Sequence, residues 1–460
     1  MKKLFLFAAA ALALTACTNE DELTQSAAQP VSEAISFDTY VPNAITKAGK
    51  VGVMNTDSLK SAKGGFGVFA QYSNDGTYNV STGSNFMWNQ KVTWNATSLG
   101  WEYSPLKYWP NETKQDSQNP NATMDTRVDR LTFFAYAPYV AHSATDGKLT
   151  GVTYTEDTPN NDQTGIIKVT GNDAATYPMV TYRVSPDPSE TVDLLWGVAP
   201  AGGLSYPTVD PTYTAGDPAS ATLTVAEGLP LKDLIKPYKN QKMKFLFKHA
   251  LSRINFTVVG AFDQIAAGGN KDANTKVLVD TVKVFEKEAG SIKTNGQLNL
   301  NNTAAGIANW NSRSGGDYRS TALFTVSGDT INATIKDGGA VDFATQPTGV
   351  TTQAVNLFKD SKNYFAVIPN NPGNANELTK FVVEITYYVQ TKDAQLKATG
   401  DVDGSRVKNK VRVPVSIHLD NNKSYNFRLI LGLTSVKLDA EVADWTDAGD
   451  VDAFLPQNAE

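Results

Sequence analysis

Few residues of this sequence are equipped for chemistry: cysteine occurs once, as Cys17, and histidine three times, as His142, His249 and His418. A lone thiol excludes an intrachain disulfide and a cysteine-built metal site. The three imidazoles stand in separate segments with no Cys, Asp or Glu at ligand spacing, so the sequence predicts neither a metal centre nor a cofactor. His249 lies in the apolar run Phe245-Leu246-Phe247-Lys248-His249-Ala250, where a hydrogen-bonded core or turn residue is expected rather than a catalyst. Asp401-Val402-Asp403-Gly404 has the opening of a calcium loop, but Lys408 and Arg412 stand where further carboxylates are needed, which leaves a hairpin turn. There is no Gly-x-Ser-x-Gly elbow and no phosphate-cradling glycine loop before a helix. No catalytic residue is expected, and the chain is not read as an enzyme.

The surroundings of Cys17 give its thiol another task. Lys2 and Lys3 precede the apolar run Leu4 to Ala13, and then come Leu14-Thr15-Ala16-Cys17. A charged start, a short apolar stretch and small residues before a cut make a secretory signal, and the run is too short to span a bilayer. Leu14-Thr15-Ala16-Cys17 resembles a bacterial lipobox, which implies a cut between Ala16 and Cys17 and a diacylglyceryl group on the Cys17 sulfur. Two or three acyl chains, at roughly 0.8 kcal/mol per buried methylene, anchor a chain stably where one does not. Residues 1–16 are thus read as a signal peptide and 17–33 as a lipid tether. Within the tether, Glu20-Asp21-Glu22 resembles the acidic export tag of outer-membrane surface lipoproteins, and Leu23 to Ser32 is a flexible spacer.

The elements that follow are strands. The chain has 460 residues, 41% hydrophobic, with 34 Gly and 21 Pro, a composition suited to short strands and turns. A net charge of −6 offers no basic field for nucleic acid. Ile35, Phe37, Thr39 and Val41 alternate with Ser36, Asp38 and Tyr40, which predicts a half-buried strand. Pro42 to Lys50 follows as an exposed, easily cut segment containing Lys47-Ala48. Phe86-Met87-Trp88 and Lys91-Val92-Thr93-Trp94 look like a hairpin, and Leu131 to Ala137 like a strand ended by Pro138. Trp101, Tyr103, Tyr108 and Trp109 are expected in a core and its rim, with a sugar-stacking platform as the alternative. Proline-rich residues 206–240 read as a linker between a sandwich over 48–205 and another over 241–460, with a loop over 299–317 and no exact internal repeat.

Several blocks in order complete the pattern: the lipobox, Ile35-Ser36-Phe37 with Ile45-Thr46-Lys47-Ala48, Phe86-Met87-Trp88-Asn89, Trp101 to Pro110, Asp193-Leu194-Leu195-Trp196, Phe247 to Ser252, and Val442-Ala443-Asp444-Trp445. Together they resemble the fimbrillin family over nearly the whole chain. The resemblance implies a subunit of cell-surface type V pili, all-β, with two transthyretin-like (Ig-like) β-sandwich domains in tandem. It further implies export as an outer-membrane lipoprotein, removal of the first strand (residues 34–47, with Ile35, Phe37 and Val41) by a protease cutting after a basic residue, and polymerisation with like or paralogous subunits by donor-strand exchange. The family's cut follows an arginine; here Lys47 stands at that place, before Ala48, and the first arginine of the chain is Arg127. An uncut subunit would instead be an anchor or tip.

A donor would lie at the C-terminus. Val436, Leu438, Ala440 and Val442 alternate with Lys437, Asp439 and Glu441, and the apolar end carries Val451, Phe454 and Leu455. Either Val436 to Val442 is the donor, or it is the last strand of its own domain and Val451 to Leu455 carries the exchange. A surface glycan-binding lipoprotein is the alternative function.

Overall fold

Strands form where the sequence alternates or runs in β-branched and aromatic residues. The structure, a computed structural model, describes residues 34–41, 54–61, 64–73, 77–110, 129–141, 164–171, 177–208, 222–237, 241–260, 275–327, 355–358, 363–391, 405–431 and 436–444. The largest sheet has eight strands. Its edge is Phe37–Tyr40, hereafter β1, followed in order by Met243–His249, Leu195–Val198, Arg130–Ala137, Phe66–Ser73, Met87–Asn95 and Gly100–Glu102; Leu231–Leu234 pairs Arg130–Ala137 off this path. β1 runs parallel to Met243–His249, whereas the other pairs are antiparallel.

The expected hairpin around Asn89-Gln90 is instead one continuous strand, Met87–Asn95. Asn89 takes φ 43°, in the left-handed region, and the register against Phe66–Ser73 slips between Val68 and Ala70. The polar pair that reads as a turn is a β-bulge. Its side chain accepts the Tyr136 hydroxyl at 2.7 Å, which fixes the bulge to the sheet.

The proline-rich stretch 206–240 also differs from the expected linker, because Leu204–Pro207 pairs Thr222–Val225 and Leu231–Leu234 joins the eight-stranded sheet. Nor does a new unit begin at 241, since Met243–His249 lies inside that sheet between β1 and Leu195–Val198. The chain passes from this sheet to the next through Ala250-Leu251 alone, entering Ser252–Gly260 directly.

Ser252–Gly260 is central to a five-stranded sheet ordered Val355–Asn356, Ser252–Gly260, Lys423–Leu431, Val436–Asp444, with Phe365–Val367 also on Ser252–Gly260. A four-stranded sheet of Phe324–Ser327, Thr275–Glu286, Thr379–Thr391 and Ser405–Ile417 packs against it. Rings meet across the gap, Phe381 with Phe427 at 5.4 Å and Phe324 with Phe365 at 4.0 Å, as in a sandwich core. The last four-stranded sheet joins distant parts of the sequence, pairing Met179–Arg183 with Asn295–Asn299. Its edge Asn309–Ser314 falls where a loop over 299–317 is expected; the run Asn309 to Ser314 has few apolar residues and pairs only with Asn295–Asn299.

Candidate functional site

β1 is the edge strand of its sheet and turns one face into the core. Ile35, Phe37, Thr39 and Val41 are 2%, 1%, 6% and 4% exposed, whereas Tyr40, on the opposite face, is 38% exposed. This is the alternation read from sequence, with one face given to the core. Phe37 is ringed by Phe66, Tyr103, Phe133 and Phe245, with centroids 5.5–6.2 Å away. Trp101 packs on Phe66 and Trp109 on Phe133, so these aromatics wall the seat of β1 rather than forming a platform. Of the expected quartet Trp101, Tyr103, Tyr108 and Trp109, Tyr108 alone is exposed. Burial pushes the Tyr103 hydroxyl above the usual phenol range, and that hydroxyl donates to the Ile35 carbonyl at 2.7 Å.

The backbone of β1 is held at both ends. The Met243 N–H donates to the Ser36 carbonyl and the Ile35 N–H to the Lys107 carbonyl, both at 2.8 Å. The register sets Phe37, Asp38, Thr39 and Tyr40 beside Met243, Lys244, Phe245 and Leu246. At the other end Val41 N–H donates to Thr56 Oγ1 at 3.1 Å, and that hydroxyl donates back to the Val41 carbonyl at 3.2 Å. Val41 and Thr56, on either side of Lys47-Ala48 in sequence, are therefore bonded to each other. An open hollow of about 450 Å³ runs beside Asp38, Tyr40, Ala201, Leu204 and Lys244.

A second feature was not legible as a unit. Asp193 is fully buried, and its Oδ2 accepts the Met54 N–H and contacts His249 Nδ1, each at 2.8 Å. His249 is thus a buried, hydrogen-bonded residue. The hydroxyls of Tyr182 and Tyr364 are pushed well above the phenol range, first by burial and then by the nearby Asp193 carboxylate. The pair fixes Met54, downstream of Lys47-Ala48, to the two strands Leu195–Val198 and Met243–His249. The signal in sequence is a polar residue beside each of two apolar runs, 56 positions apart.

Val436, Leu438 and Val442 lie on the edge strand Val436–Asp444, antiparallel to Lys423–Leu431 of the chain's own sheet, with Ala440 buried and Val442 36% exposed. Ala16, Cys17, Glu20, Asp21, Glu22, Lys47, Ala48, Val451, Phe454 and Leu455 lie outside the described residues, as does the turn Asp401 to Gly404. Among the described residues no cluster of three or more His, Cys, Asp or Glu is arranged to hold a metal ion.

Fold and site together define an all-β protein whose first described strand sits at a sheet edge with Phe37 and Thr39 buried in the core. No family model matches the sequence. Over 98% of its length the chain is 22% identical to fimbrium subunit Fim1C of Phocaeicola vulgatus, 98% of which is covered. Its fold is similar to that in the crystal structure of a fimbrial protein from Bacteroides vulgatus ATCC 8482, with a TM-score of 0.57 at 20% identity, covering 90% of this chain and 99% of that one. The sequence match runs end to end, and the structural match shows a shared fold.

Proposed function

We propose that this chain is a structural subunit of cell-surface fimbriae. It is exported as an outer-membrane lipoprotein through Cys17 behind the tag Glu20-Asp21-Glu22, cut between Lys47 and Ala48, and polymerised by strand exchange between two-sandwich subunits. Its partners are other fimbrial subunits, identical or paralogous. The observation that carries the reading is the placement of β1: it is the edge strand of its sheet with one strand neighbour, and Ile35, Phe37 and Val41 on and beside it are buried in the core.

The physics of that placement favours exchange over simple loss. Seating Ile35, Phe37 and Val41 is worth roughly 1.5–3 kcal/mol each, and each ladder bond about 1 kcal/mol net. An empty seat would expose that apolar wall together with the unpaired backbone edge of Met243–His249, a template for another strand. A groove near one end of the chain and a donor at the other make a contact that does not close, which gives a filament. Because Val41 and Thr56 hydrogen-bond to each other, a cut between them leaves β1 held by noncovalent contacts alone, while Met54 on Asp193 keeps the start of the body in place.

The test is limited trypsin digestion of the purified full chain, followed by electron microscopy and SDS-resistant laddering. Uncut protein should stay monomeric and cut protein should form filaments. Filaments from uncut protein would remove strand exchange.

A further inference from the structure

In the sheet of Phe324–Ser327, Thr275–Glu286, Thr379–Thr391 and Ser405–Ile417, the face turned away from the sandwich core carries more cations than partners for them. Cross-strand register sets Thr325, Lys283, Glu384 and Arg412 side by side in one row, and Ser327, Thr281, Thr386 and Lys410 in the next. Such rows lie about 7 Å apart, on strands about 4.8 Å apart. Glu384 is 3% exposed and both its oxygens are taken, Oε1 by Lys410 Nζ at 2.9 Å and Oε2 by Arg412 Nε at 2.6 Å. Lys283, opposite Glu384 in register, makes no ion pair among the described residues. Three cations thus stand around one carboxylate. Nearby ion pairs are one to one: Arg313 with Glu377, Arg319 with Asp317, Lys380 with Glu288, and Lys408 with Asp280.

Arg412 is placed for a further acceptor. Glu384 fixes its Nε, and its guanidinium carbon lies 5.2 Å from the centre of the Phe285 ring. Its two terminal nitrogens make no hydrogen bond among the described residues, and its side chain is 61% exposed. A guanidinium already held by a carboxylate and a ring loses little more freedom on binding, and its remaining nitrogens match the paired oxygens of an oxyanion. Lys410, 57% exposed, and Lys283 flank it, with Thr325 beside Lys283 and Thr386 beside Lys410 in register.

We infer that this face binds an acidic polysaccharide, whose carboxylate or sulfate groups are taken by Arg412, Lys410 and Lys283. The inference goes beyond fimbrial assembly and does not depend on how subunits join.

The make-up of the face selects the polymer. A protein partner docks through apolar anchors, and the large exposed hydrophobic side chains, Tyr40, Leu99, Leu106, Tyr108, Val407 and Val442, all lie off this face. Nucleic acid needs a broad basic field, which a chain of net charge −6 lacks. An extended sugar polymer carries its charges singly along a ribbon and brings hydroxyls for Thr325 and Thr386. Charge carries this recognition, since Trp101, Tyr103 and Trp109 are spent on the seat of β1.

The purified full chain is passed over immobilised polygalacturonate, dextran sulfate and neutral dextran at about 0.15 M salt, where exposed charges more than about 8 Å apart are largely screened. Retention is expected on a charged polymer and not on dextran; polygalacturonate alone would assign the group as carboxylate, dextran sulfate alone as sulfate. Arg412→Lys keeps the charge but not the fork, and Lys283→Gln removes a cation with no partner to disturb. Each should weaken retention roughly tenfold at an unchanged urea midpoint. Lys244→Gln, at an exposed lysine of the eight-stranded sheet, should leave it unchanged. No retention of the wild type on either charged polymer would overturn the inference. So would equal retention on neutral dextran, wild-type retention of both Arg412→Lys and Lys283→Gln, or a loss on Lys244→Gln as large as theirs.

Discussion

Replacing Phe37 by alanine removes the largest side chain of β1 from a seat where it is 1% exposed and ringed by Phe66, Tyr103, Phe133 and Phe245. Phe→Ala at such core positions costs about 3–5 kcal/mol, set by how far the surrounding rings can close in. At an edge with one strand neighbour the loss falls first on β1 itself. The backbone amides of Met243 to Leu246 that pair with it should then exchange with solvent faster, before global unfolding. The uncut full chain is followed by urea denaturation and by hydrogen exchange read over residues 241–250, with Tyr40→Ala as comparison. Tyr40 is 38% exposed, and its loss should cost less than about 1 kcal/mol. The sharper outcome concerns mature filaments: if β1 leaves before assembly, Phe37→Ala and wild type yield the same subunit, and filament stability should be identical. A Phe37→Ala chain with unchanged urea midpoint and unchanged exchange at Met243 to Leu246 would refute the packing argument. Filaments that inherit the destabilisation would refute the removal of the strand.

Three further outcomes follow from other residues. Cys17→Ala should abolish labelling by a fatty-acid analogue and leave an unprocessed or mislocalised precursor, and undiminished labelling would exclude acylation at Cys17. Asp193→Ala should lower stability by about 2–4 kcal/mol, since the buried Met54 N–H and His249 ring both lose their acceptor; trypsin should then cut deeper than residue 54, whereas an unchanged digestion pattern would deny the residue its tethering role. Burial alone would raise the Glu384 carboxyl, but Lys410 and Arg412, at 2.9 and 2.6 Å, hold it below its ordinary value of 4.5. A depressed carboxyl contributes stability that is fully present above pH 4.5 and is lost as pH falls through the lower folded value, so Glu384→Gln should flatten the acid limb of the stability curve, and an unchanged limb would contradict the assignment.

What the sequence revealed depended on how local the physics was. The alternation of Ile35, Phe37 and Val41 exposes one face to the core and needs no distant partner to be recognised, and the structure buries that face. Asn89-Gln90 was ambiguous because a bulge and a turn use the same polar, left-handed-tolerant residues; the continuous ladder to Phe66–Ser73 decides it. The prolines between 200 and 237 suggested a linker because they interrupt periodicity, yet Leu231–Leu234 still finds a partner in Arg130–Ala137. Asp193 and His249 meet only because Leu195–Val198 and Met243–His249 are sheet neighbours, a pairing that no window of sequence contains. The parallel partner of β1 was illegible for the same reason, since Met243 follows Phe37 by more than 200 residues.

The central claim, that the first strand is removed so that another can take its seat, is tested most directly by the N-terminal residue of the protein recovered from cell-surface filaments. The account predicts Ala48, with residues 34–47 gone and no lipid on the filament subunit. A filament subunit that begins at an acylated Cys17 and retains Phe37 would contradict it.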